Sequence, residues 1–341
     1  MTAPIFATRI VRWQRQHGRR GLPWQDTRDP YRVWLSEVML QQTQVATVMD
    51  YYARFLQRFP TVAELAAAPL DDVLALWSGL GYYSRARYLH RCAQTVVAEH
   101  GGNFPRDAQA LAQLPGIGRS TAAAIAAFCF GQRVAILDGN VKRVLSRVLG
   151  FDGDLARPAA LEQLWAAAQG LLPRRDIDVY TQGLMDLGAT VCTRQSPGCN
   201  RCPVSAGCVA HASGEPQRYP VKSRRSPRTQ RENALLWLRQ RQRVWLVQRP
   251  HTGVWAGLWT LPEFTSAAMA TSATAGWPGR GVWLPSFRHA LTHFDWTLHT
   301  LRWDWPARAA TPHGLPGGRW FTTQEALALG LPAPIRRLLI G

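Results

Sequence analysis

The sequence predicts a multidomain protein, an all-helical domain followed by an α/β or α+β domain. Three observations carry this. The chain has 341 residues, enough for two domains of ordinary size. Residues 1–212 place apolar side chains at three- and four-residue spacing, with almost no strand-like alternation. After Glu232 bulky and polar residues alternate instead.

In the first domain, TVAELAAAPLDDVLALWSGLG and RARYLHRCAQTVVAEHGG carry helical periodicity and stop at glycines. Residues 213–231 hold three prolines with Arg218, Lys222, Arg224, Arg225, Arg228 and Arg231, and few apolar anchors. They read as a basic interdomain linker. In residues 232–341, NALLWLRQRQRVWLVQRP predicts two strands around a polar turn, and SFRHALTHFDWTLHTLRWDW alternates as strands do. TTQEALALGLPAPIRRLLI reads as helix broken by proline, and residues 266–282 as a loop.

Forty Lys and Arg against 22 Asp and Glu give a formal charge of +18. Such an excess points to a polyanion, DNA or RNA, ahead of an anionic membrane surface, with binding that weakens as salt rises. No apolar run long enough to span a membrane occurs, and the N-terminus does not read as a signal peptide. A cytoplasmic, nucleoid-associated protein is expected.

Four of six cysteines fall in CTRQSPGCNRCPVSAGC, as Cys192, Cys199, Cys202 and Cys208. Disulfides are disfavoured in a chain without a secretory signal. Four thiolates so close can surround zinc or an iron–sulfur cluster. A single Cys-x-x-Cys unit leans the spacing toward one [4Fe–4S] cluster, used to hold a loop carrying Arg194 and Arg201. Cys92 and Cys129 lie in apolar helical contexts and read as core.

In LPGIGRSTAAAI, Pro115 ends one helix, and Gly116, Ile117 and Gly118 turn into the next, where alanines let a neighbour pack closely. Bare N–H groups at such a helix start suit a phosphate, as in a helix-hairpin-helix, although a plain αα turn has the same pattern. In RVAILDGNVKRVLSRVLG, Val141, Val144, Leu145, Val148 and Leu149 form an apolar face. Asp138 ahead of it suits a helix cap, or a carboxylate set beside bound DNA. In YRVWLSEVMLQQTQVATV, Glu37, Gln41 and Gln44 form a polar stripe on an apolar helix. An acid amid Trp34, Val38, Met39 and Leu40 is expected to have a raised pKa, as a proton donor needs.

Taken together, LSEVMLQQTQV, LWSGLGYYSRAR, LPGIGRSTA, ILDGNVKRVL and the cysteine cluster resemble the adenine DNA glycosylases of the MutY type. These belong to the helix-hairpin-helix superfamily that also contains endonuclease III. The resemblance covers nearly the whole chain. It implies a [4Fe–4S] cluster and a monomer acting on double-stranded DNA, which removes adenine opposite 8-oxoguanine or G after flipping it out. It implies that Glu37 protonates adenine N7 and activates water, that Asp138 stabilises the oxocarbenium-like sugar, and that Asn140 supports the water network. Gln42 and Tyr82 match residues that wedge into the stack, and Arg20 and Trp24 match the adenine pocket. Ser120 stands where lyase-competent relatives carry lysine; a hydroxyl forms no Schiff base, so a monofunctional glycosylase is expected.

VWLVQRPHTGVWAGLWTLPEF resembles the Nudix-like C-terminal domain of the same family. From residue 233 onward the acids are only Glu263, Asp295, Asp304 and Glu325, too few for the Glu-dense Mg²⁺ helix of a Nudix hydrolase. The family reads 8-oxoguanine with a Phe-Ser-His element. FRHALTHF sets Leu291, Thr292 and His293 there, keeping the hydroxyl and the imidazole but not the ring.

Overall fold

The computed structural model describes residues 2–223, 227–309, 315 and 317–340. Arg224 and Arg225 of the expected linker lie outside them. The chain divides into two compact units, Met1–Ala66 with Arg91–Arg225, and Ala67–His90 with Ser226–Gly341.

The helices in order are α1 (Ala3–His17), α2 (Pro30–Leu40), α3 (Val45–Arg58), α4 (Val62–Ala67), α5 (Leu70–Trp77), α6 (Ser84–His100), α7 (Ala108–Leu111), α8 (Arg119–Phe130), α9 (Gly139–Leu149), α10 (Pro158–Gly170), α11 (Ile177–Thr190) and α12 (Val209–Ala212). In the first unit Phe6 and Ile10 of α1, Ala124 and Ala127 of α8, Val144 and Leu145 of α9, and Leu184 and Leu187 of α11 share one apolar core. The buried alanines of α8 leave it thin, and α2 packs closely along it. The four cysteines lie against the same core, three of them among its partly buried neighbours.

Three local readings are corrected. The polar stripe does not run on one helix: α2 stops at Leu40, Gln41 caps it, and Gln42 takes a left-handed φ of 59° before Gln44 caps α3. The first helix of the hairpin ends at Leu111, and tight turns rather than helix lead to Pro115. Leu149 leaves the α9 apolar face and is exposed. The stretch before Arg224 is anchored by its backbone and by the buried Tyr219: Arg147 donates to the Pro216 and Tyr219 carbonyls, and the Leu155 N–H to the Val221 carbonyl.

Among the described residues the second unit contains a seven-stranded sheet, five strands in the order β3-β2-β1-β6-β5 with β4 added on β1 and β7 on β2. Its strands are β1 (Thr229–Gln240), β2 (Arg243–Gln248), β3 (Trp259–Thr260), β4 (Glu263–Phe264), β5 (Arg280–Ala290), β6 (Phe294–Asp304) and β7 (Gly318–Thr322). β1 pairs parallel with β6 and antiparallel with β2 and β4. Ala234, Leu236 and Leu238 of β1, Trp245 of β2 and Leu301 of β6 share one core. The expected loop at 266–282 holds α13 (Ala267–Ala273): Ser266 caps the Met269 N–H at 3.2 Å, alanines favour helix, and Ala270 is fully buried. α14 (Thr323–Leu327) and α15 (Ala333–Ile340) close the unit.

Candidate active site

Glu37, Asp138 and Asn140 line one cleft of about 680 Å³ in the first unit, together with Arg20, Trp24 and Gln44. The volume is that of a small-molecule pocket. α2 is fixed around Glu37. Asp29 caps it at 2.9 Å to the Tyr31 N–H, the Tyr31 hydroxyl donates to the Phe59 carbonyl at 2.6 Å, and Trp34, Val38 and Met39 are buried. The carboxylate is left facing the cleft without a hydrogen bond from any described residue. Burial, reinforced by the charge of Asp138, pushes its pKa up to about 8.

Asp138 is the helix cap its sequence position allowed, accepting from the Val141 N–H of α9 at 2.7 Å, and it also lines the cleft. Burial raises its carboxyl above the usual range, and hydrogen bonds from Val141 and Asn140 with the cations Arg143 and Lys142 offset this only in part. Asn140 is held by Arg143, which donates to its Oδ1 at 2.8 Å and also to the Gly188 and Cys192 carbonyls at 2.6 and 2.8 Å. Gly188 permits this approach, since a Cβ there would stand 2.6 Å from Asn140 Cβ.

Ser120 does not line the cleft. Its hydroxyl accepts from the Leu137 N–H at 3.1 Å, one residue before Asp138. Trp24 is buried edge-on to Tyr52, with centroids 5.2 Å apart. In the hairpin, Gly116 has a φ of 78° that favours glycine, Ile117 is buried, and Pro115 is half-buried. Gly118 caps α8 without a side-chain bond, and open space surrounds it.

Sequence reasoning missed Asp186. It is fully buried, and it accepts from Gln14 at 3.0 Å, from the Arg19 N–H at 2.9 Å and from Gln182 at 2.9 Å. Arg19 also pairs with it at 2.6 Å, which fixes the start of the segment carrying Arg20 and Trp24. The available signal was the one used for Glu37, an acid inside an apolar helix.

Cys192, Cys199, Cys202 and Cys208 line one small cavity walled by Val144, Val148 and Leu187. Among the described residues, no three such side chains converge on a single metal ion. Four thiols around a shared void are a donor set that either a zinc ion or an iron–sulfur cluster accepts. Burial, reinforced by the other three thiols, pushes the Cys202 thiol up to about 11, a penalty that a cationic group among them relieves. Arg147 donates to Cys192 Sγ at 3.4 Å and to the Thr193 and Arg194 carbonyls at 2.6 and 2.9 Å.

In the second unit, Thr292 and His293 are exposed in the turn joining β5 to β6, which the Leu291 N–H closes onto the Phe294 carbonyl at 2.9 Å. Glu263, Asp295 and Asp304 pair with Arg249, Arg228 and Arg302, and Glu325 forms a capping box with Thr322. Gln42 and Tyr82 are exposed and left-handed, with φ of 59° and 48°. No helix of the described residues is long and apolar enough to cross a membrane.

Comparison with known proteins gives the class first. Residues 35–168 match the HhH-GPD superfamily of base excision DNA repair proteins, and residues 233–340 the NUDIX domain. A thermostable thymine-DNA glycosylase superposes with a TM-score of 0.56 at 28% identity, over 62% of this chain and 97% of that one. An endonuclease III from a non-covalent DNA complex superposes at 0.53 and 22% identity, over 63% and 98%, and shows the same fold. This is a DNA N-glycosylase of base excision repair. Adenine DNA glycosylase of Buchnera aphidicola subsp. Acyrthosiphon pisum (strain APS) is 32% identical over 99% of this chain and 98% of its own. That of Homo sapiens is 37% identical over 94% and 70%. The chain belongs to the adenine DNA glycosylase family.

Proposed function

We propose that this protein removes adenine paired with 8-oxoguanine or G from double-stranded DNA, acting as a monomer and leaving the strand uncut. The observation that carries the reading is one cleft lined by two acids, one of them lifted to about 8.

Once the adenine is flipped into the cleft, Glu37 gives its proton to N7. The C1′–N9 bond breaks with its electron pair leaving on adenine, and the Asp138 carboxylate stabilises the cationic sugar. Water adds to C1′ and returns a proton to Glu37, with Asn140 orienting the water. Free adenine and an abasic site result, as in two-carboxylate glycoside hydrolysis. Arg20 and Trp24 hold the base, the 115–118 hairpin holds a phosphate, and Gln42 and Tyr82 probe the stack.

With no amine at position 120, no Schiff base forms and no lyase step follows. Cys192, Cys199, Cys202 and Cys208 hold a [4Fe–4S] cluster, which would cross-link the loop presenting Arg194 and Arg201. The division of labour is residues 1–212 for excision, 213–231 as a connection whose end, from Thr229, already belongs to β1, and 232–341 for reading the opposite base through Leu291, Thr292 and His293.

Single-turnover assays on A:8-oxoguanine, A:G, A:C and A:T duplexes, with and without hot alkali, test this. Adenine release is expected from the first two, with strand scission only after alkali. Cutting before alkali removes the monofunctional reading, and no release from either duplex removes the substrate.

A further inference from the structure

Residues 67–90 belong to the same compact unit as the C-terminal sheet. Arg87 donates to the Ala256 carbonyl and Asp71 accepts from Gln248 and Trp259. At the Tyr82 loop the joining group is the Leu331 carbonyl. The Leu331 carbonyl accepts from the Ser78 hydroxyl at 3.0 Å and from the Tyr83 hydroxyl at 2.8 Å. Ser78 and Tyr83 are the two ends of the loop that presents Tyr82. The Tyr83 hydroxyl also receives the Gly79 N–H at 3.3 Å, and Arg336 Nε donates to Ser78 Oγ at 3.2 Å. Arg336 in turn donates to the Leu327 carbonyl at 2.8 Å, which ties the acceptor's own turn to the same group.

The held residue is in a conformation it does not choose alone. Tyr82 has a φ of 48° and is exposed, so neither backbone preference nor burial explains its position. A left-handed non-glycine residue persists where its surroundings over-determine it, and such positions gather at functional sites. From within the loop, Trp77 Nε1 donates to the Gly81 carbonyl at 3.1 Å, and the Arg85 guanidinium stands 5.7 Å from the Tyr82 ring centroid. The bond to Leu331 adds an anchor from a segment about 250 residues away in sequence.

We propose that the turn at Gly330 and Leu331 is a latch that sets Tyr82 for probing DNA, so that Ser78, Tyr83 and Arg336 are positioning residues. The latch rests on the reading of Tyr82 as a residue that enters the base stack. The C-terminal unit thereby fixes the probe as well as carrying the turn with the exposed Thr292 and His293.

The test uses the full-length protein and an A:8-oxoguanine duplex with 2-aminopurine beside the mismatch. Tyr83→Phe and Ser78→Ala, singly and together, are made in wild-type and Tyr82→Ala backgrounds, reading affinity and 2-aminopurine fluorescence. The double variant is expected to lose about tenfold in affinity together with the fluorescence rise, and to add no loss to Tyr82→Ala. Each single variant keeps its ring or backbone and should show part of the effect. Wild-type readings from the double variant would overturn the latch, as would an equal loss in both backgrounds, which marks a contact serving stability alone. If Tyr82→Ala itself changes neither reading, the assignment of Tyr82 as a probe fails first and the latch with it.

Discussion

Asp138 stands near enough to Glu37 that its charge adds to the burial lifting the Glu37 carboxyl to about 8. The two acids are nonetheless held differently. Asp138 is pinned by the Val141 N–H at 2.7 Å and has the cations Arg143 and Lys142 near it, whereas Glu37 has no hydrogen-bond donor among the described residues. Burial raises both carboxyls, but groups that favour the charged form face Asp138 and none among the described residues acts on Glu37.

The Glu37 proton sets a pH dependence. The carboxyl is protonated below about pH 8, so single-turnover excision should fall as pH rises through that value. Glu37→Gln should remove this limb together with about 10²- to 10⁴-fold of the rate. Stability should move in the opposite sense in the variant. Between the ordinary value of 4.5 and about 8 the folded wild type binds more proton than the unfolded chain, so its stability drops across that window. The variant should therefore melt above wild type at about pH 9 and lose that advantage near pH 5. Parallel melting curves at both pH values would place Glu37 in a wetter setting than its cleft provides.

Asp138→Asn separates the cap from the charge. The amide oxygen can still accept from Val141, so folding and duplex binding should survive. Excision should drop by about 10²- to 10³-fold, since the sugar cation loses its counter-charge. Retained excision would leave Asp138 as a cap alone.

Arg143 joins Asn140 Oδ1 to the carbonyls of Gly188 and Cys192, so the cleft and the cysteine loop share one guanidinium. Arg143→Lys cannot reach all three acceptors at once. Each orphaned buried acceptor costs about 1–3 kcal/mol, so a lower melting temperature, less bound iron and slower excision should appear together. Wild-type iron content and rate in the variant would mean that the bridge does nothing.

That bridge marks where legibility stopped. Glu37, Asp138 and the four cysteines could be read because their residue types are rare in their surroundings, an acid on an apolar helix or thiols packed within one loop. Arg143 lies between Lys142 and Arg147 on α9, and nothing in its spacing sets it apart from them. The break at Gln41–Gln44 was hidden because glutamine is an adequate helix former, and only the left-handed turn at Gln42 reveals it. Membership of residues 67–90 in the second unit depends on pairings such as Ser78 with Leu331, which no local pattern encodes. Asp186 was overlooked although the rule that found Glu37 applies to it equally.

Thr292 offers the sharpest check on reading of the opposite base. It is exposed in the turn closed by Leu291 and Phe294, and it bonds to no described residue there. Oxidation at C8 turns guanine N7 from an acceptor into an N–H donor, and a hydroxyl can accept that bond. With a leucine at position 291, Thr292 and His293 are the exposed polar side chains of this turn. Thr292→Ala should therefore lower the ratio of excision rates on A:8-oxoguanine and A:G by about three- to tenfold. The melting temperature should not move, because the side chain supports nothing else. Thr292→Ser should restore the ratio, since the requirement is for an oxygen and not a methyl group. An unchanged ratio in Thr292→Ala would shift the discrimination to His293 or the turn backbone.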